Sequence, residues 1–452
     1  MGDNNHEKDH IDVSVDDNRD VFSSKFGFIV ACIGSAVGMG NIWLFPYRVG
    51  QFGGAAFLIP YIIFVALLGF TGVIGEMSFG RAMGTGPLGA FKKALERRGK
   101  KHGDLIGLIP VIGSLGIGIG YSVVVGWILR FTAGSITGSM INTQDSEAYF
   151  GAIAGRMGSV NWHMLALAIT FIVMLAGISN GIEKINKVMM PAFYILFIIL
   201  AIRVATLPGV AEGYKYLFVP RWEYLGNPKT WVYALGQAFF SLSIAGSGTV
   251  VYGSYLKKTE DVVESAKYVA IFDTIAAMLA ALVIIPSVFA FGMDPGAGPA
   301  LMFITMPSVF KQMPAGQLFS IFFFIAVLFA GVTSLVNLFE TPIETLQTRF
   351  KLSRKASVAI IALIGAVTGL FLEDGDMLGT WMDVISIYVI PVGALLSAIM
   401  FYWVCGSKFA REQVQLGRKK ELGSWFEPMT KYVFCGLTII GYILGVFYGG
   451  IG

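Results

Sequence analysis

The chain has 452 residues, of which 55% are hydrophobic and 14% charged, with a mean hydropathy of +0.70 and a formal net charge of +4. Soluble domains carry about 25% charged residues, so the composition excludes a soluble globular protein and points to an integral membrane protein. Its basic residues sit in short loops between apolar runs, which argues against nucleic acid as a partner.

Residues 1–20 are polar and acid-rich. They lack the apolar stretch of a secretory signal and read as a disordered tail. A spanning helix needs about 20 apolar residues. Eleven segments qualify, near 24–48, 54–80, 104–131, 162–178, 184–207, 229–256, 263–293, 317–348, 356–372, 380–405 and 428–449. No alternation of the β-barrel kind occurs. The loop after segment 2 carries Arg81, Lys92, Lys93, Arg97, Arg98, Lys100 and Lys101. Loops on the same side by parity are also basic, at Lys184 and Lys187, Lys257 and Lys258, Arg349 to Lys355 and Lys408 to Lys420. The other side holds Asp145, Glu147 and the run EDGD at 373–376. Cytoplasmic loops collect Lys and Arg. The N-terminus is therefore expected in the cytoplasm and, after eleven spans, the C-terminus outside.

Cys32, Cys405 and Cys435 are odd in number and far apart, so they supply neither a disulfide framework nor metal spacing. His6, His10, His102 and His163 fall in the tail and in or beside loops, which argues against a metal site.

Segment 1 contains GSAVGMGNIWLFP, residues 34–46. Gly34 and Gly38 alone fit a close-packing motif between helices, but Gly40, Asn41 and Pro46 exceed what packing requires. Segment 6 repeats the composition in FFSLSIAGSGTVVY, residues 239–252, where Ser241, Ser243 and Ser247 mix with Gly246 and Gly248. Segments 1 and 6 open two successive groups of five, and interruptions at matching positions in two halves mark an inverted-repeat transporter. Unwinding frees carbonyls for a cation and amide ends for a carboxylate. Backbone of this kind survives at membrane depth only around a protein-lined cavity, so a binding site is expected near the midplane.

The stretches GSAVGMGNIWLFPY, NGIEKINKVMMP, ALGQAFFSLS, MFITMPSVF and FAGVTSL resemble, in order, those of the neurotransmitter:sodium symporters, over roughly residues 19–449. The resemblance implies an all-α membrane protein built as a five-plus-five inverted repeat, 21–207 and 229–405, with 428–449 peripheral. It further implies two sodium ions and no other cofactor. One ion would be held by the Ala36 carbonyl with Asn41, Ser241, Asp273 and the substrate carboxylate. The other would meet carbonyls of Gly34, Val37 and Ala330 and hydroxyls of Thr333 and Ser334. Hard oxygen ligands of this kind suit a hard cation. The substrate pocket would draw on Ser35, Ala36, Gly38, Gly40, Ile117, Tyr121, Phe240, Ser241, Ser243, Gly246, Ser334 and Leu338. Tyr121 would donate to the substrate carboxylate, and Phe240 would close over it.

Several positions depart from the family's pattern. Asp273 stands where many relatives have asparagine, and an acid at membrane depth usually marks an ion path. Ala277 replaces the hydroxyl that chloride-dependent relatives use, while Tyr61, Gln237 and Ser241 match the other chloride contacts. Asp273 is therefore expected to supply the negative charge that chloride supplies elsewhere. The outer gate arginine and aspartate are replaced by Leu44 and Ser386, with Asp383 one turn earlier. On the inner side Arg19 matches a gate arginine, but Thr348 replaces its acid. Gly246 stands where a bacterial leucine transporter has phenylalanine, which implies room for an aromatic side chain. Gly181 and Pro191 bracket the start of segment 5 and lower the cost of unwinding it.

The expectation is a sodium-coupled symporter in the plasma (bacterial inner) membrane that imports hydrophobic, preferably aromatic, amino acids. No GxxxxGK[ST] loop is present for ATP, and no nucleophile–base pair suggests an enzyme. A same-fold symporter for another solute, or an amino-acid sensor that does not transport, are the alternatives.

Overall fold

A computed structural model describes residues 22–449; the tail, with His6, His10 and Arg19, lies outside the described residues. The described residues form helices and connecting loops, with no strand among them. We number eleven helices after the segments. The first, α1, is broken into Lys25–Ala36 and Gly40–Gln51, bent by 50°. Next come α2 (Ala55–Met83), α3 (Gly103–Thr137), α4 (Val160–Leu175) and α5 (Ile178–Ala205). The second broken helix, α6, comprises Pro228–Ser241 and Gly248–Ser254. It is followed by α7 (Val262–Ala290), α8 (Gly316–Phe350), α9 (Arg354–Leu370), α10 (Gly375–Val404) and α11 (Phe426–Tyr448). Among the described residues, seven helices are long and apolar enough to cross a membrane, or eight if the bent α1 pair counts as one span. The α4 and α9 helices and the halves of α6 are shorter.

Local chemistry sets the helix starts. Ser24 caps α1 by accepting from Gly27 N, and Asp261 caps α7 by accepting from Val263 N and Glu264 N. Asp374 caps α10 in the same way, so α10 begins at Gly375, five residues before the sequence reading placed it. Gly177, with φ +86°, turns the chain tightly, and α5 accordingly starts at Ile178.

The long helices α3 and α8 pack together at the centre. In contrast, α5 and α11 expose apolar rows: Ile195, Ile198, Ile199 and Ile202 on one, Ile439, Ile440, Ile443 and Phe447 on the other. A helix buried on one side and apolar on the other fits a lipid surround. The first half of α1 lies against α5, α7 and α8, and the first half of α6 lies against α2. Both breaks therefore fall in the interior.

One sequence reading needs correction. His163 does not sit in a loop environment but is buried on α4, with Nδ1 2.9 Å from Glu373 Oε1 and Nε2 2.8 Å from Ser122 Oγ. Glu373 folds inward from the connection before α10, a pairing 210 residues apart in sequence.

Candidate functional site

The α1 break begins where Val37 adopts an extended backbone, φ −72° and ψ 104°. Three amides that would have continued the helix bond elsewhere. Gly38 N donates to Asn41 Oδ1 at 3.0 Å, Met39 N to the Tyr121 hydroxyl at 2.8 Å, and Asn41 N to Gly38 O at 3.1 Å. The carbonyls of Gly34, Ser35 and Val37 thus lose their helical donors. They gather round one hydroxyl, Ser334 Oγ of α8, at 3.2, 3.3 and 3.2 Å. A hydroxyl carries one proton, and Ser243 Oγ also donates to Ser35 O at 3.0 Å. Among the described residues Gly34 and Val37 are left sharing a single donor, an oxygen-rich cluster suited to a cation. Thr333 is buried beside it, and its hydroxyl bonds back to Phe329 O and Ala330 O at 3.0 and 3.2 Å.

A second cluster lies across α1, α6 and α7. Asn41 Nδ2 donates to Asp273 Oδ1 at 2.7 Å, to Asp273 O at 3.0 Å and to Ser241 Oγ at 3.0 Å. Ser241 Oγ donates to Asp273 Oδ2 at 2.7 Å. Asn41, Ser241 and Asp273 are fully buried. The carboxyl group therefore has only neutral side-chain partners among the described residues; in its ionised form it would call for a counter-ion. Tyr61 OH lies 3.4 Å from Ser241 Oγ, Gln237 Nε2 donates to Gly40 O at 2.7 Å, and Ala277 is buried.

The α6 break runs from Leu242 to Ser247. Two of its residues have positive φ, Ser243 at +54° and Gly246 at +69°. Here a carboxylate holds the freed donors: Gly246 N donates to Glu76 Oε1 of α2 at 2.6 Å, and the Thr249 hydroxyl bonds Glu76 Oε2. Glu76 is buried and belongs to no sequence expectation.

Between the breaks lies a cavity of about 70 Å³, room for several water-sized groups. Of the residues assigned to a substrate pocket, Ser35, Ala36, Gly38, Gly40, Ile117, Tyr121, Phe240, Ser243, Ser334 and Leu338 line it. Asn337 and Ile390 also line it and were missed, although Ser334, Asn337 and Leu338 share one helical face of α8. Two expected residues are absent from the wall. Ser241 is drawn to Asp273 instead. Gly246 turns away: a Cβ there would strike Gly393 O, so the glycine answers a positive φ and a close backbone approach rather than opening the pocket.

A larger cavity of about 350 Å³ lies beyond, lined by Trp43, Leu44, Tyr47, Trp127, Asp383 and Ser386 among others. Phe240 and Tyr121 border both spaces and stand between them. Arg48, one turn past Leu44, lies 4.0 Å over the Tyr233 ring and 4.9 Å from that of Tyr47. At the opposite end Phe22 packs edge-on against Phe28, Tyr252 and Tyr255. Tyr255 and Arg354 both bond Glu340, while Thr348 donates to Glu344 at 2.8 Å.

The sequence profile of the sodium:neurotransmitter symporter family matches residues 19–152 and 149–447. The chain belongs to that family. It is 38% identical over 395 residues to the uncharacterised sodium-dependent transporter YhdH of Bacillus subtilis, covering 84% of this chain and 86% of that protein. An uncharacterised sodium-dependent transporter of Methanocaldococcus jannaschii is 33% identical over 442 residues, 92% of this chain and 88% of its own. Among solved structures, MhsT in complex with L-phenylalanine superposes with a TM-score of 0.86 at 31% identity, covering 94% of this chain and 99% of that one. This is a sodium-dependent symporter family of multi-pass membrane transporters, not of enzymes. The inverted-repeat transporter fold expected from the sequence agrees with that likeness.

Proposed function

We propose that this symporter imports hydrophobic, preferably aromatic, L-amino acids by alternating access, coupled to two sodium ions and independent of chloride. It works in the plasma (bacterial inner) membrane with its N-terminus in the cytoplasm and its C-terminus outside. The observation that carries the reading is the pair of oxygen clusters against one small cavity: freed carbonyls at Ser334 and the Asp273–Asn41–Ser241 group.

In this reading the first sodium takes the Ala36 carbonyl, Asn41, Ser241, Asp273 and the substrate carboxylate. The Asn41 amide turns its oxygen from Gly38 N to the ion. Asp273 provides the fixed negative charge, so chloride is not required. The second sodium takes the Gly34, Val37 and Ala330 carbonyls with Thr333 and Ser334. Tyr121 donates to the substrate carboxylate, and Phe240 seals the pocket from the outer cavity. An aromatic side chain is favoured by the apolar wall of Ile117, Ile244, Leu338 and Ile390 and by the phenylalanine held in the MhsT relative. It no longer rests on Gly246. Sodium adds binding energy where the substrate completes its shell, which couples the two.

The test is binding of labelled tryptophan to the purified protein in sodium or potassium, with chloride or gluconate. Binding in sodium alone, unchanged in gluconate, is expected. A requirement for chloride would remove the role given to Asp273. Leucine displacing the label far better than unlabelled tryptophan would end the aromatic preference.

A further inference from the structure

Asn186 of α5 is fully buried, between Gly181 and Pro191 in sequence. Its Nδ2 donates to Ile182 O at 2.8 Å. A carbonyl oxygen can only accept, so the end of the amide that faces it must be the NH2, and this bond fixes which way the amide faces. Asn186 Oδ1 is left without a hydrogen-bond partner among the described residues. The oxygen rests against α1: a Cβ built on Gly34 would collide with Asn186 Oδ1 and lie 3.2 Å from Thr333 Cβ. The next residue, Lys187, is engaged by Glu183 at 2.6 Å. A bare buried acceptor needs an explanation, and this one touches the residue whose carbonyl has lost its helical donor.

We propose that Asn186 Oδ1 is a further oxygen ligand of the second sodium, contributed by α5; this rests on the sodium site assigned above to Gly34, Val37, Ala330, Thr333 and Ser334. Three elements then meet at the ion rather than two. Because α5 is wound through Ile178–Ala205, the ligand is in place while the helix is intact.

The test titrates the purified full-length protein with sodium, against potassium, following thermal stabilisation and bound radioactive sodium without substrate. Asn186→Leu keeps the shape and removes the oxygen; it should raise sodium half-saturation about tenfold. Tryptophan saturation at saturating sodium should stay within about twofold. Asn186→Asp keeps the shape and adds charge, and should lower sodium half-saturation. An unchanged Asn186→Leu, or both variants shifting the same way, would mean packing alone and overturn the proposal. If Asn186→Leu does not fold, Asn186→Asp decides: no gain in sodium affinity overturns it. Thr333→Ala separates the two levels. If it weakens sodium while the Asn186 variants do not respond as stated, only the Asn186 ligand is lost. If it too has no effect, the second sodium site is itself misassigned.

Discussion

The two interrupted helices solve opposite problems. At the α1 break the amides of Gly38, Met39 and Asn41 find new acceptors or hydroxyls, and it is the carbonyls that are left under-satisfied. At the α6 break the freed group is a donor, Gly246 N, and the protein supplies its own acceptor, the Glu76 side chain. One break thus leaves acceptors for something mobile to bind, whereas the other is clamped by a side chain. The same composition of glycine and serine leaves spare acceptors in one helix and a clamped donor in the other. The neighbouring helix decides which, through Ser334 on α8 or Glu76 on α2.

The sharpest way to break this contrast is Asp273→Asn, which removes the carboxylate bonded to Asn41 and Ser241. Leaving a buried ion without its partner costs about 3–5 kcal/mol, so sodium-dependent tryptophan binding in chloride-free buffer should fall by roughly 100-fold or more. Adding Ala277→Ser to it should restore binding in chloride but not in gluconate. Next in size is Ser334→Ala, which deletes the hydroxyl at the centre of the α1 carbonyls. Sodium half-saturation should rise about tenfold, read by sodium titration of thermal stability.

Changes at the α6 joint should act on stability rather than on ions. Glu76→Gln replaces one acceptor oxygen by a donor facing Gly246 N or the Thr249 hydroxyl. An unmade buried hydrogen bond costs about 1–3 kcal/mol, and the melting temperature should drop while sodium half-saturation stays within about twofold. Gly246→Ala forces a left-handed conformation on alanine, about 1–2 kcal/mol, and presses on Gly393 O. It too should lower the melting temperature, with the ratio of tryptophan to leucine binding unchanged. A shift in that ratio would return Gly246 to the pocket.

Much of this was legible in the sequence because it depends on pattern. Apolar runs marked the helices, and the glycines of segments 1 and 6 marked where two of them fail. Boundaries were less exact where one side chain sets them, as Asp374 does for α10. Residue type did not reveal direction. Gly246 could have opened space or permitted a positive φ, and only the backbone distinguishes these. Partners distant in sequence were also hidden: Glu76 meets Gly246 from 170 residues away, and Glu373 meets His163 from 210. Asn337 was within reach, since it lies one turn from Ser334 on the face already assigned.

The most direct measurement is uptake of labelled tryptophan into proteoliposomes holding the purified protein, with sodium or potassium outside. Concentrative uptake driven by an inward sodium gradient, absent with potassium and lost in Asp273→Asn without chloride, is the predicted result. Tryptophan that equilibrates equally in sodium and potassium, or binds without ever accumulating, would contradict the claim that the two breaks frame a coupled transport site.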